Sequence, residues 1–482
     1  MLQCIVFDRA QHLQTDSELF LVHFSDNTSY KLNAMPPLTF TSPATLHEIL
    51  EELYTLRRFH ATAGLHRIQS LLEALGKPHN RFPSIHIAGT NGKGTVSSVL
   101  ASVLREAGFT VGLYTSPHIL RFNERIRVNG EEVSDEDLYS LVQTIMPLVV
   151  AENATFFEAA TALAFQHFAA RNVDIAIIET GLGGRLDATN ILTAENVLAT
   201  AITSIDYDHT EYLGDTLPEI ASEKAGIMKR NVPCVIAESR PSLRTTFEDN
   251  AERHKAEALF LDDEYSVLIQ QCKPDFSMTV RLTSPQGTLH TVESRLCGTH
   301  QAHNILTAFA VLDRIGVNFP TTPDHFRSGL QNITTNSGLR GRIELLSASP
   351  LVVMDVAHNP AGMTMLIQTL ERCGYAGVRW NALFAAMQDK QMDAMLATLA
   401  PVLRRLHVPT LSFPRARAAR DIVHEASRFG IVAEEYPSVA DACERVFATN
   451  EPTLIVGSFH LAEDVLRWWE AHSAEIISVN NL

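Results

Sequence analysis

The stretch IHIAGTNGKGTVSSVL, residues 85–100, constrains the fold more than any other. An apolar β-branched run, a glycine-rich turn and a segment of helical periodicity follow one another there, which predicts strand, loop and helix. A loop that holds phosphate needs backbone N–H groups turned inward, a helix N-terminus and a cation. Gly89, Gly92 and Gly94 supply the first, a helix opening at Thr95 the second, and Lys93 the third; Thr90 and Asn91 complete the loop. The Thr95 hydroxyl can reach a phosphate-bound Mg²⁺. The spacing departs from the common P-loop, in which Gly and four residues precede Gly-Lys and Ser or Thr. Ile87 stands where the first Gly belongs, and Gly94 separates Lys93 from Thr95.

Around this loop the chain alternates between strands and helices. Residues 1–43 read as a short hairpin, and 44–76 carry helical spacing at Leu46, Ile49, Leu50 and Leu53. TVGLYTS, VDIAIIET and VLATAITSI read as buried strands, and FFEAATALAFQHFAAR as an amphipathic helix. Short all-apolar strands separated by helices indicate a parallel sheet covered on both faces. The polar TTNSGLRG, residues 334–341, reads as a linker. Beyond it come a strand in PLVVMDVAH, a helix at 361–373, a strand in WNALFAAM, a helix near 391–405, strands in HVPTLSF and TLIVGSFH, and a last helix with Trp468 and Trp469. The expected fold class is α/β. A P-loop-type, mostly parallel ATPase domain over 44–335 precedes a smaller Rossmann-like α/β domain over 336–482, with 1–43 as an N-terminal extension.

At 482 residues the chain is long for one core, and 45% hydrophobic with 20% charged residues suits a globular protein. A net charge of −16 argues against a nucleic-acid binder, which needs a basic face. The six cysteines are scattered without a CxxC pair, which suits reduced thiols in a cytoplasmic protein. No apolar run approaches the ~18 residues of a membrane span, so no membrane partner is expected.

The loop GTNGKGT, with Gly after Lys, resembles the ATP loop of the Mur ligase superfamily. LYTSPHILRFNERIRVNG (113–130), IETGLGGRLDATN (178–190), DHTEYLGDTLPEIASEKAGI (208–227), HNILTAFAVL (303–312) and DVAHNP (355–360) are similar to one branch of it, the dihydrofolate synthase/folylpolyglutamate synthase family. The resemblance runs from about residue 48 to the C-terminus. It implies an ATP-dependent ligase, usually monomeric, that joins a pterin carboxylate to L-glutamate through an acyl phosphate. A Mur-type peptidoglycan-precursor ligase is the alternative.

The resemblance also implies roles. A first Mg²⁺ falls to Ser116 and Glu179 with Thr95 nearby. A second falls to His209 and to Lys224, the latter carbamylated by CO₂, since an ammonium cannot ligate a metal. Arg342 matches a position on nucleotide phosphate, Asp355 one on ribose, Asn304 one on the base, and His358 one beside the γ-phosphate. Lys93, Lys224, His209 and His358 are therefore the catalytic candidates. RRFHATAGLHRIQSLLEALGKP (57–78) resembles the segment on the pterin side. Arg121, Arg125 and Arg127 are candidates for substrate carboxylates, although the alternation in RIRV lets only some share a face. Two positions depart from the family pattern: Val356 replaces a usual Gly, and MQDKQ (387–391) carries Gln391 where further charge is expected.

Overall fold

In a computed structural model, residues 45–56, 64–287 and 289–479 are described. The hairpin expected over 1–43 and residues 57–63 of the pterin-side segment lie outside them. The described residues from Leu46 onward pack as one unit.

The phosphate-loop strand is central and buried at every position, its polar Ser84 and His86 included. In chain order the first sheet comprises β1 (Ser84–Ala88), β2 (Val111–Tyr114), β3 (Ile126–Val128), β4 (Glu131–Glu132), β5 (Ile175–Glu179), β6 (Val197–Ile202), β7 (Pro233–Ile236) and β8 (Glu257–Phe260). Their spatial order is β4-β3-β2-β5-β1-β6-β7-β8. Every residue of β1, β2 and β5 is buried, as a strand covered on both faces requires. β1 runs parallel between β5 and β6, and Ile87 is in register with Glu179. The loop after β1 and the carboxylate ending β5 therefore emerge side by side at one sheet edge, where open α/β sheets bind ligands.

A second sheet of three antiparallel strands, β9 (Ser266–Cys272), β10 (Met278–Thr283) and β11 (Leu289–Ser294), lies in a region to which the sequence assigns no element. The third sheet holds β12 (Glu344–Ala348), β13 (Leu351–Met354), β14 (Trp380–Phe384), β15 (Leu403–Pro409), β16 (Ala433–Tyr436) and β17 (Thr453–Val456), ordered β12-β13-β17-β14-β15-β16. Only β12 runs antiparallel to its neighbour.

Four details differ from the sequence expectations. The helix Phe156–Ala170 is buried on almost every side rather than amphipathic, because other helices cover the face away from the sheet. TTNSGLRG is not a solvated linker: Ile333–Ser337 is a short helix, and Asn336 bonds Arg105, Ser102 and Glu106 of the phosphate-loop helix. The expected helix at 391–405 spans only Met392–Leu399, since Pro401 lacks the N–H to continue it, and β15 starts at Leu403. The expected helix at 361–373 is α-helical over Pro360–Leu370 and ends in a wider turn, Glu371–Tyr375.

The phosphate-loop helix, Lys93–Glu106, packs against Thr299–Ile315, Pro323–Gln331 and Ile333–Ser337. One apolar cluster runs from Ile85 and Ile177 of the first sheet through Met278 and Ile305 to Met363 and Trp380 beside the third. Each such large side chain contributes roughly 1.5–3 kcal/mol on burial.

Candidate active site

The loop after β1 enters its helix through Gly92, whose φ of +94° favours glycine. A methyl group there would stand 2.4 Å from Asn304 Oδ1, so the absent side chain lets the Thr299–Ile315 helix bring Asn304 onto the loop. Two lysines converge on the same strand end. Lys93 Nζ donates to the carbonyls of Gly89 (3.0 Å) and Thr90 (3.2 Å), and Lys224 Nζ donates to Gly89 O at 2.9 Å.

Lys224 is only 4% exposed. Burial, reinforced by the charge of Lys93, pulls its ammonium down to about 7 against the partial support of Asp208 and Asp187. A large share of this amine is therefore unprotonated at neutral pH. Asp187 meanwhile shapes the following loop by accepting from the N–H groups of Gly181, Leu182 and Thr189.

Glu179 Oε2 accepts from the Ser116 N–H at 3.2 Å. A methyl at Gly94 would lie 3.6 Å from Glu179 Oε2 and 3.9 Å from Arg342 Nη2, so the carboxylate and the guanidinium flank the start of the phosphate-loop helix. Burial pushes the Glu179 carboxyl up to about 7, with Lys93, the Ser116 N–H and Arg342 opposing. The Thr95 hydroxyl is buried with no hydrogen-bond partner. The unpaired buried Thr95 hydroxyl and the under-compensated Glu179 carboxylate both line the cleft, and both are oxygens that a cation would satisfy. The donors are hard oxygens, which suit Mg²⁺. Among the described residues no three His, Cys, Asp or Glu side chains form a metal cluster, so such an ion would need oxygens from a bound phosphate as well.

His209 caps a short helix with φ of 51°, and its Nε2 lies 3.8 Å from Asp208 Oδ2. Across the cleft, His358 Nδ1 donates to Val356 O at 2.9 Å, while Asp355 accepts from the N–H groups of Ile343 and Ala357. Burial lowers the His358 pKa, keeping its imidazole neutral. Asn359 Nδ2 donates to Asn91 Oδ1 at 3.3 Å, joining the third sheet's first helix to the phosphate loop.

Lys224 and Gly89 apart, the loop, Ser116, Glu179, Asp187, His209, Asn304, Arg342, Asp355, His358 and Asn359 line a cleft of about 1750 Å³. Its other end is aromatic, with Tyr54, Phe122 and Phe156 around Arg125, whose Nε donates to His118 Nδ1 at 2.7 Å. Arg121 also reaches the cleft but is engaged by Asp135 and Glu132. Arg127 pairs with Glu132 at 2.8 Å. The sequence reading missed Asp208 and Lys390, whose charged groups meet at 2.8 Å. It also missed His300, buried in the cleft wall with Nδ1 unpartnered.

Residues 87–312 match the Mur ligase middle domain and 341–458 the Mur ligase glutamate ligase domain. The dihydrofolate synthase/folylpolyglutamate synthase of Bacillus subtilis is 36% identical over 420 residues, covering 85% of this chain and 95% of that protein. This chain belongs to the dihydrofolate synthase/folylpolyglutamate synthase family. Solved structures of such ligases superpose along nearly their whole length. Mycobacterium tuberculosis folylpolyglutamate synthase, complexed with ADP and AMPPCP, gives a TM-score of 0.78 at 30% identity over 88% of this chain and 98% of that one. E. coli FolC in complex with DHPP and ADP gives 0.77 at 29%, over 89% and 99%. The protein is an ATP-dependent ligase of the Mur type, and these folate-ligase relatives set aside the peptidoglycan alternative. Among the described residues no helix is long and apolar enough to cross a membrane.

Proposed function

We propose that this ligase joins the carboxylate of dihydropteroate and of reduced folates to the amine of L-glutamate, splitting ATP to ADP and phosphate. The reading is carried by one convergence: the unpartnered Thr95 hydroxyl, the buried Glu179 carboxylate and the buried Lys224 amine meet on a single phosphate loop. The division into an ATP-binding part over 44–335 and a ligase part over 336–482, a monomeric state and a cytoplasmic location belong to the same reading.

A carboxylate resists amine attack because it is a poor electrophile with a poor leaving group. Transfer of the γ-phosphoryl group to it makes phosphate the leaving group, and the protein's task is then positioning and charge compensation. The glycine loop and the N-terminus of its helix hold the phosphates, Lys93 and Arg342 offset their charge, and Asn304 and Asp355 place the nucleoside. Thr95, Ser116 and Glu179 would hold one Mg²⁺. His209 and a carbamylated Lys224 would hold a second. Bound there, the ions would neutralise charge building on the transferring oxygens. Lys224 is suited to carbamylation because CO₂ reacts with a free amine, the form its burial favours. With its Nδ1–H engaged by Val356 O, the neutral imidazole of His358 presents an unprotonated Nε2 that can accept the proton the amine sheds. The aromatic end around Arg125 offers flat apolar walls for a pterin ring.

The test is ADP release from purified protein with Mg-ATP and glutamate, supplying dihydropteroate and tetrahydrofolate in separate reactions. Release that requires both glutamate and a pterin supports the reading, and the pattern across the two pterins assigns the step. Absence of stimulation by either pterin overturns it. Carbamylation is checked separately by native mass spectrometry, which should show one CO₂ adduct that Lys224→Ala abolishes.

A further inference from the structure

Three cysteines outside the ligase cleft lie where the end of β9 and the loop after β11 approach the turn Glu371–Tyr375. Cys272 ends β9, Cys297 follows β11, and Cys373 sits in the turn Glu371–Tyr375. The sulfurs of Cys297 and Cys373 are 3.3 Å apart, closer than ordinary sulfur contact, and both residues are 1% exposed. Cys272 is half-buried, and burial holds its thiol up against the opposing influence of nearby Cys297. The surroundings are fixed by packing: Phe276 stacks on Tyr375, and the Tyr375 hydroxyl donates to Pro274 O at 2.7 Å. A disulfide needs sulfurs about 2 Å apart, so a movement of roughly an ångström would complete the bond.

We infer that Cys272, Cys297 and Cys373 form an oxidation site in which a disulfide between Cys297 and Cys373 covalently ties the loop after β11 to the turn Glu371–Tyr375 and slows the ligase reversibly. The placement of the two buried cysteines gives the consequence. Cys297 directly precedes Gly298, the cap of the Thr299–Ile315 helix, whose first turns carry His300 and Asn304 to the cleft. Cys373 lies just past the Pro360–Leu370 helix, which begins beside His358 and Asn359. One bond would therefore pin the cleft-side start of the Thr299–Ile315 helix to the far end of the Pro360–Leu370 helix.

The half-buried thiol gives an entry route. Cys272 sulfur attacks a peroxide oxygen, the O–O bond breaks, and a sulfenic acid and one water result. Cys297 sulfur then attacks Cys272 sulfur, the S–O bond breaks, and a second water leaves. Cys373, whose thiolate is favoured by the hydrogen bond from Cys297, attacks Cys297 sulfur and releases Cys272 as thiolate. In balance, two thiols lose two electrons and two protons to one peroxide, which becomes two waters. In a reducing compartment such a bond is transient and regulatory.

The full-length protein would be treated with hydrogen peroxide, digested without reduction and mapped by mass spectrometry, with ADP release followed in parallel. The expected result is a peptide pair cross-linked through Cys297 and Cys373, with turnover lowered at least about fivefold and restored by dithiothreitol. Cys373→Ser and Cys373→Ala should keep untreated turnover, lose the cross-link and resist peroxide. Absence of that peptide pair, or its presence with unchanged turnover, overturns the inference. The cross-link is read without reference to substrate identity, so its outcome is independent of the folate assignment.

Discussion

Lys390, in the loop after β14, holds its ammonium 2.8 Å from the Asp208 carboxylate, which follows β6 in the first sheet. Both side chains are mostly buried in the cleft. Burial alone would raise the Asp208 pKa, but His209 and Lys390 outweigh it and hold it at about 2. A depressed carboxyl contributes stability above its unfolded value, lost only as pH falls towards that folded value, so the pair persists through the physiological range.

Breaking this pair should therefore cost both stability and turnover. Lys390→Met and Asp208→Asn should each destabilise by roughly 1–3 kcal/mol, because each leaves a buried polar partner unmet. A double-mutant cycle on urea unfolding should show coupling above about 0.5 kcal/mol. Strict additivity would mean that the two charges act independently.

For Glu179→Gln the two readouts should diverge. Turnover should fall at least about a hundredfold if the carboxylate holds the ion that offsets phosphoryl charge. The melting midpoint should hold or rise, because the substitution removes a buried carboxyl whose ionisation burial opposes. Unchanged ADP release would take Glu179 out of the metal site.

Gly92→Ala should act chiefly on nucleotide. Its methyl group would collide with Asn304 Oδ1 and would hold a left-handed conformation costing about 1–2 kcal/mol. The expected result is a KM for ATP raised by about tenfold or more, with little change in the KM for glutamate. Equal rises for both would place the damage in the general fold.

His407 supplies an acid-sensitive element remote from the cleft. Its Nδ1 meets the Tyr436 hydroxyl at 2.9 Å, and its Nε2 is buried without a partner. Burial lowers its pKa to about 4, with Glu434 opposing and Arg405 and Arg445 reinforcing. Between about 6.5 and 4 the unfolded chain binds a proton here that the folded chain refuses, so stability falls as pH falls through that window. His407→Phe should remove a pH-dependent loss of roughly 1–3 kcal/mol, read from urea midpoints at pH 7 and pH 4.5. A slope identical to that of the unsubstituted protein would exclude His407.

The parts of the site legible in sequence are those written in contiguous residues. The loop from Gly89 to Thr95 declares itself through its flanking strand and helix, and Glu179 through an apolar run ending in a carboxylate. What escaped depends on pairing across the fold. Asp208 and Lys390 are 182 positions apart, and neither residue alone signals the other. Of the second sheet, β9 alternates only partly, whereas β10 alternates at every position, a period-two signal the sequence reading passed over. The burial of Asn336 and Ser337 within 334–341 escaped for the same reason as the pairing of Asp208 with Lys390. Asn336 looks solvated until Arg105, Ser102 and Glu106 of a distant helix supply its partners. Arg121 shows the converse: a cation marked for substrate carboxylates is engaged by Asp135 and Glu132 of its own neighbourhood.

The apolar cluster that runs unbroken from Ile85 to Trp380 bears on how the molecule comes apart. Two modules joined by a tether would melt as two heat-absorption peaks, and each could be made alone. Here the apolar contact continues across the region near Gly338, so the two parts of this ligase are expected to melt in a single heat-absorption peak.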